Sequence, residues 1–594
     1  MPLRKTISAL LLLLLSFSSA LPQSASQRQD TAGQTEKKQS DTEEKGLALL
    51  EKVVEQSRSL KLFENRIYIK ATAASLLWSR DEKRARAVYA EVTDEIASVI
   101  NSIENADEEQ ERVNILAQLR STIIQELAPK DPELALSFLR ATRLPPLSNY
   151  SYNGLTQEEQ LEARLAYLIA VKDPKLSLQL ARENLKKGFS HELIGLLQNL
   201  RSKDKESYNV LLKEILAKLQ DVNFVTNQNA SNLAFNLLSL MRSQESEAEA
   251  YRELLANLAS WGAKASNRGL SENDRYAARN FLVYLRQYIS EIEKYVPAQA
   301  IALRKKFAEI DEASDPYTKQ MNALNQIAQN GTVDEILAAT VKAPKEYRNQ
   351  FYSQAMWKAL GQGDFQRAIQ ITESDDISPS QRKQFLEQID RQRIYKTINE
   401  GKIDEARQSL ARVKNLHESI QLFIQLANNI ASKGDKATAL QILQEASNLV
   451  REQPKNSAEV NARLQLASAY KQHNPDMSFE MIAPLIPQLN DLVTAVSTLN
   501  GFENNYMKDG EFLINHFYSN VGNSVNQCHY QIAELARNDF DRAVSLGESF
   551  QREEVRLKAL LLIAQTTLNS TNVTVIKNQK GVEIKQLLSF NDYV

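Results

Sequence analysis

Cys528 and His529 stand side by side, and a thiol next to an imidazole is the raw material of a cysteine nucleophile with its base. On a helix, adjacent side chains diverge by about 100°, so this pair can neither chelate one ion nor pass a proton between its members unaided. Cys528 is the only cysteine, which rules out an intramolecular disulfide and makes a small apolar core residue its expected role. His191, His417 and His473 are isolated and match no zinc spacing. There is no glycine-rich phosphate loop, no Gly-x-Ser-x-Gly elbow and no defensible Ser-x-x-Lys nucleophile. Carboxylates are abundant, yet abundance without geometry selects no acid/base pair. The sequence therefore assigns no catalytic, cofactor-binding or metal-ligating residue.

The charges that remain look like solvated surface. The 72 Lys and Arg residues nearly balance the 74 Asp and Glu residues, and the two signs are interleaved along the chain, which is not the footprint of a nucleic-acid binder. Arg4 and Lys5, an apolar run from Ile7 through Phe17, and the small residues Ser18 and Ala20 form the three-part pattern of a signal peptide over residues 1–20. Ser18 and Ala20 are the expected cleavage determinants. No later segment is long and apolar enough to span a bilayer, so the expectation is a protein that is not an integral membrane protein. A single cysteine in a long exported chain points to a bacterial periplasmic or secreted location rather than a disulfide-rich eukaryotic one.

Helix is the element that would carry any site. Residues 21–45 are almost wholly polar and read as a disordered leader. Beyond them apolar residues recur at three- and four-residue spacing, as in Leu47, Leu50 and Val54. Thr156 with Glu159, Thr332 with Glu335, Ser378 with Gln381 and Asn105 with Glu108 have capping-box spacing, so each predicts a helix start. The acidic cluster Asp107 to Glu111 is read as one such start rather than a metal loop.

A short phrase recurs: a turn residue, then a large residue or proline, then a small residue three positions on. Its small members are Ala135, Ser177, Ala368, Ala406, Ala439, Ser478 and Ala543, and those at 368, 406, 439 and 478 are spaced 38, 33 and 39 apart. Two helices of a hairpin approach closely only where one side chain is short, so these seven are repeat-packing positions. Such a period marks a helical repeat array. Gly434, Ala439, Leu443 and Ala446, with the matching half-phrases around Ala368 and Ala406, resemble the tetratricopeptide family and its looser α-solenoid relatives. That resemblance implies a fold and no particular binding residue.

The sequence thus predicts an all-α protein, an α-solenoid of stacked helical hairpins. Residues 46–345 form an irregular helical-repeat region, and residues 346–568 form tetratricopeptide-like repeats. The tail, 569–594, with Val573, Val575, Ile576, Val582 and Ile584, reads either as a short β-hairpin or as disordered. Arg143 to Gly154, with two prolines, Tyr150 and Tyr152, reads as a loop. Aromatic runs at Tyr276, Phe281, Tyr284 and Tyr288 and at Phe351, Tyr352 and Trp357 are expected to be mostly core. The expected function is an exported, non-catalytic scaffold that binds a protein or peptide on its concave surface. The alternative is an all-α enzyme acting on polysaccharide or cell-wall material.

Overall fold

The computed structural model describes residues 25–146, 155–242, 244–265, 272–312, 324–502, 504–514 and 519–580. The signal-peptide residues Ser18 and Ala20, and Tyr150 and Tyr152, lie outside them. Among the described residues every extended regular element is a helix, and β pairing is confined to isolated bridges.

The first helix departs from expectation. α1 (Ala25–Ser57) begins inside the stretch read as a flexible leader. Leu50, Val53 and Val54 are fully buried and fix its C-terminal turns. Once such a nucleus exists, each further Gln, Glu or Lys adds one hydrogen bond at little entropic cost, so the helix propagates back through polar sequence.

Hairpins follow in order: α2 (Phe63–Leu77) with α3 (Glu82–Asn101), α4 (Gln110–Leu127) with α5 (Pro132–Ala141), α6 (Gln157–Ile169) with α7 (Pro174–Lys187), α8 (Leu193–Lys203) with α9 (Lys205–Gln220), and α10 (Gln228–Met241) with α11 (Ala248–Lys264). α12 (Glu272–Arg286), α13 (Ile289–Tyr295) and α14 (Pro297–Glu312) close this half. The second half holds α15 (Val333–Lys342), α16 (Lys345–Gly361) with α17 (Phe365–Thr372), α18 (Pro379–Glu400) with α19 (Ile403–Leu410), α20 (Leu416–Ser432) with α21 (Lys436–Ser447), and α22 (Ser457–Tyr470) with α23 (Pro475–Ile482). α24 (Leu485–Leu499) is interposed before α25 (Asn520–Leu535) with α26 (Phe540–Glu548), and α27 (Glu553–Lys580) comes last.

The first members of these hairpins pack on one another in unbroken succession from α2 to α12 and from α16 to α27. Their partners pack closely at fewer steps, such as α7 on α9. A stack held tight on one side and loose on the other must curve, so the first members line the concave face.

The stack does not begin where the chain begins. α27 is an inner helix, and the outer helix packed along it is α1, while α27 also joins α25 on one side and α2 on the other. One hairpin is therefore built from opposite ends of the sequence. Gly46 makes the close approach possible, since a Cβ there would lie 3.2 Å from side-chain carbons of Thr567 and Leu568. Lys52 reaches Glu548 at 2.6 Å and Lys45 reaches Asp541 at 2.8 Å. Arg80 on the α2–α3 turn bonds the Leu568 carbonyl and Glu43.

One apolar core consequently runs from Leu49 to Phe307 and resumes from Ile394 to Leu568, while a smaller one spans Leu324 to Ile389. The division expected at residue 345 falls inside the smaller core. At the C-terminus, Val573, Val575 and Ile576 continue α27 instead of forming a hairpin strand or a disordered tail. The fully buried run around Leu560, Ile563 and Ala564 anchors that helix, and extending it costs less than starting an isolated strand pair. Residues 581–594, with Val582 and Ile584, lie outside the described part.

Candidate functional site

The seven small residues all occupy the fourth position of an outer helix, and none exposes more than 1% of its surface. The turn residue before each helix is usually its cap: Asp131, Asp173, Asp364, Asp435, Asn474 and Asp539 each accept a bond from the backbone N–H three residues on. Ser177 and Ser478 show why small and polar are both tolerated. Each hydroxyl donates at 2.7 Å to an inner-helix carbonyl eleven residues earlier, Ala166 and Ala467 respectively. Two repeats were harder to see in the sequence. Asp81 to fully buried Ala85 carries the same phrase at the start of α3, whereas α9 places Tyr208 where a small residue is expected.

Three of the four capping boxes form with both reciprocal bonds, at Thr156, Thr332 and Ser378. Asn105 does not cap α4. Its side chain instead closes a turn with Asp107 N and Glu108, and the helix starts at Gln110.

The Cys528–His529 pair is buried in α25. Cys528 has no exposed surface, and burial pushes its thiol up to about 12, far from a nucleophilic thiolate. His529 packs edge-on against Phe550 at 4.6 Å, and burial together with the Lys558 charge holds its pKa well below the ordinary value. The aromatic runs divide by helix face: Phe281, Tyr288, Phe351 and Tyr352 are buried, whereas Tyr276, Tyr284 and Trp357 are exposed. Among the described residues no group of three or more His, Cys, Asp or Glu side chains could hold a metal ion, and no helix is long and apolar enough to cross a membrane.

The feature the sequence hides is residues 504–514, between α24 and α25. It carries the cap that α2 lacks: the buried Glu511 carboxylate accepts from Lys61 N at 2.6 Å, Leu62 N at 3.0 Å and Asn65 Nδ2 at 3.3 Å. Asn65 in turn donates to the Phe512 carbonyl at 2.9 Å and accepts from Ile514 N at 2.9 Å. Lys508 pairs with the buried Glu64 at 2.9 Å, and Phe512 N bonds Glu554 on α27. No local signal in either partner sequence announces a contact about 450 residues away.

Pinned in this way, the segment roofs a groove of about 900 Å³ on the concave face. Its floor is α4 and α6, through Asn114, Gln118, Gln160 and Arg164. His191 and Glu192 form one edge, and Tyr506, Met507 and Lys508 the roof. In the floor itself, nearly fully buried Arg120 bonds both oxygens of Glu158, the Thr142 hydroxyl at 3.0 Å and the Leu139 carbonyl at 3.2 Å. Glu158 also accepts from Leu144 N. Among the described residues the hydrogen bonds of that ion pair go to the scaffold, so it ties the floor to its surroundings.

No protein-family description and no curated protein matches the chain. Among solved structures, a circular tandem repeat protein with novel repeat topology is similar at 14% identity over 89% of this chain and 100% of that one, with a TM-score of 0.16. The APC/C hetero-tetramer Cut9-Hcn1 is similar at 13% identity over 84% of this chain and 96% of that one, with a TM-score of 0.15. Scores of this size carry no weight, and the reading of the chain as an α-solenoid of helical hairpins rests on its own packing.

Proposed function

We propose that this chain is an exported helical-repeat scaffold that holds a protein or peptide partner on its concave face, centred on the roofed groove. The observation that carries the reading is that groove's construction. It lies across neighbouring inner helices, polar side chains such as Asn114, Gln118, Gln160 and Arg164 line it, and a segment from the far end of the sequence is bonded in place as part of its lining. Large concave pockets with a few convergent polar groups are the default location of a binding site. Export is part of the proposal and rests on the pattern of Arg4 to Ala20.

The test is a photo-crosslinking amino acid at Gln118 in the groove floor and, as a control, at Gln408, an exposed residue of α19. A discrete adduct from the native envelope or medium at position 118 and none at 408 supports the reading. Equal labelling at both positions rejects it.

Glu111 and Glu192 both line the groove, and this is the one observation that favours an all-α polysaccharide-acting enzyme. Under that reading Glu111→Gln and Glu192→Gln each abolish release of soluble sugar from isolated cell-wall material. Under the scaffold reading the unaltered chain releases none.

A further inference from the structure

On α12 and α14, which pack on each other, exposed apolar side chains and exposed cations are gathered together. Tyr276, Val283, Tyr284 and Ile301 keep 68, 47, 51 and 76% of their surface exposed. From Arg275 to Ile289 the chain carries three arginines and no acidic residue, and from Pro297 to Ala308 it carries Arg304, Lys305 and Lys306 and again no acidic residue. The chain as a whole is slightly acidic, so this excess of positive charge is local. An exposed apolar patch rimmed by charge marks a contact surface.

The geometry joins the two helices into one surface. At about 100° per residue, Arg275, Arg279 and Arg286 share one edge of the exposed half of α12, with Val283 and Tyr276 beside them and Tyr284 beyond. The opposite half, through Phe281, Leu282 and Leu285, is buried. Arg286 lies over the Phe307 ring of α14 at 5.3 Å, so the arginine edge is the one turned toward α14. On α14 the same count places Ile301 in the middle of the exposed face, with Arg304 and Lys305 to either side. Arg304 pairs with Glu293, whereas Arg275, Arg279 and Lys305 have no ion pair or hydrogen bond among the described residues.

Cations without partners call for an anionic surface, and the apolar side chains between them narrow its kind. A second copy of this chain would set cation against cation. A folded acidic protein would have to supply a matching pocket for each side chain that protrudes from these two convex helix faces. A bilayer interface needs no such match, because its headgroup region takes up a tyrosine ring with the hydroxyl left in water and an isoleucine or valine beside it. Arginine and lysine bond phosphate oxygens directly. No helix among the described residues is long and apolar enough to cross a membrane, so such a contact would be peripheral.

We propose that α12 and α14 dock this chain on an anionic lipid surface, with Tyr276, Val283, Tyr284 and Ile301 entering the headgroup region and the surrounding cations bonding lipid phosphates. The site is separate from the roofed groove and does not depend on the partner-binding reading. The probe is a vesicle of phosphatidylcholine with about 30% phosphatidylglycerol, compared with one of phosphatidylcholine alone. Each is sedimented with the chain from residue 21 onward, so that the apolar run of residues 7–17 does not itself bind lipid. Binding to the anionic vesicle should be at least about fivefold tighter and should be lost in about 0.5 M NaCl, since each cation near such a surface strengthens binding about fivefold and salt screens it.

Arg275→Gln with Arg279→Gln should weaken binding by about tenfold or more, and Tyr276→Ser with Ile301→Ser by about fivefold or more. All four side chains are exposed, so unchanged melting of both double variants is required and expected. Tyr276→Trp should add emission that brominated acyl chains quench, a signal that only insertion gives. No binding, equal binding to the neutral vesicle, undiminished binding by either double variant, or no quenching overturns the inference. Equal affinity for dextran sulfate, retained by Tyr276→Ser with Ile301→Ser, overturns it in favour of a general polyanion site. A dimer of the lipid-free chain that the same variant dissociates overturns it in favour of a contact between copies.

Discussion

Two hairpins of the same architecture arise in opposite ways. In α20–α21 the helices are neighbours in sequence, joined by a turn at Gly434, with fully buried Ala439 at the contact and Asp435 as the cap. In α27–α1 they come from opposite ends of the chain, and Gly46 lies close against Thr567 and Leu568. The first is written in local sequence. The second exists only because two terminal helices each have an apolar face that no sequence neighbour covers. The comparison has a functional consequence: the roof of the concave groove is bonded to α2 and α27 together, so the site depends on the hairpin that local sequence does not specify.

The largest effect should come from removing α1. Loss of a terminal helix from a stack whose members touch only neighbours would cost one interface. Here it uncovers one side of α27, including Thr567 and Leu568 beside Gly46, in the middle of the stack, so a chain lacking residues 1–57 should melt at least about 10 °C lower or aggregate in a thermal scan. A truncation that melts normally would show that α1 is dispensable.

Next in size is Ala439→Arg, which must bury a charge or separate two helices, costing on the order of 3 kcal/mol or more in urea unfolding. Thr438→Arg, one position away and only partly buried, should change stability by less than about 0.5 kcal/mol. The matching test at the other hairpin is Gly46→Leu. Its Cβ alone meets carbons at 3.2 Å, so overpacking of about 1–3 kcal/mol is expected. Equal tolerance at 438 and 439 would reject the repeat register.

Glu511→Gln should follow, at about 1–2 kcal/mol. The variant keeps an acceptor but removes the charge that caps α2, and it should increase amide exchange at Lys61 and Leu62.

The smallest effect concerns pH. Lys558 donates to the Ile514 carbonyl and to Asn526 at 2.9 Å, and burial lowers its pKa to about 8. A lysine with a depressed folded pKa binds fewer protons folded than unfolded between about pH 8 and its ordinary value. Its contribution to stability therefore rises with pH across that window and is lost as pH falls through about 8. The native chain should gain on the order of 1 kcal/mol relative to Lys558→Met between pH 7.5 and 9.5. A gain of the opposite sign would show that the ammonium is stabilised rather than strained.

These contrasts also mark what the sequence made legible. Helices, the outer-helix caps and the seven small residues could be placed because each depends on side chains within a few positions of one another. Asp81 to Ala85 obeys the same rule and belongs to the series, although the sequence reading passed over it. The extent of α1 and α27 was not, because polar or β-branched runs at a terminus become helix only when a distant partner fixes the adjoining turns. The groove was hidden for a related reason. Gln118 and Tyr506 acquire meaning only when segments far apart in sequence lie side by side. The Cys528–His529 pair shows the converse: it draws attention in the sequence, and burial removes it from chemistry.

The most direct test of closure is a disulfide between its two ends. With Cys528→Ala removing the native thiol, Gly46→Cys and Thr567→Cys place two sulfurs across the α1–α27 contact, where the Gly46 Cβ position lies 3.2 Å from Thr567 Cγ2. A disulfide needs Cβ atoms about 3.5–4.5 Å apart. Mild oxidation should give a monomeric, intramolecularly cross-linked chain in high yield, identified by mass spectrometry of the joined peptides and a raised melting temperature. Free thiols after oxidation, or only cross-linked dimers, would mean that the ends do not meet and that the roofed groove is not built as described.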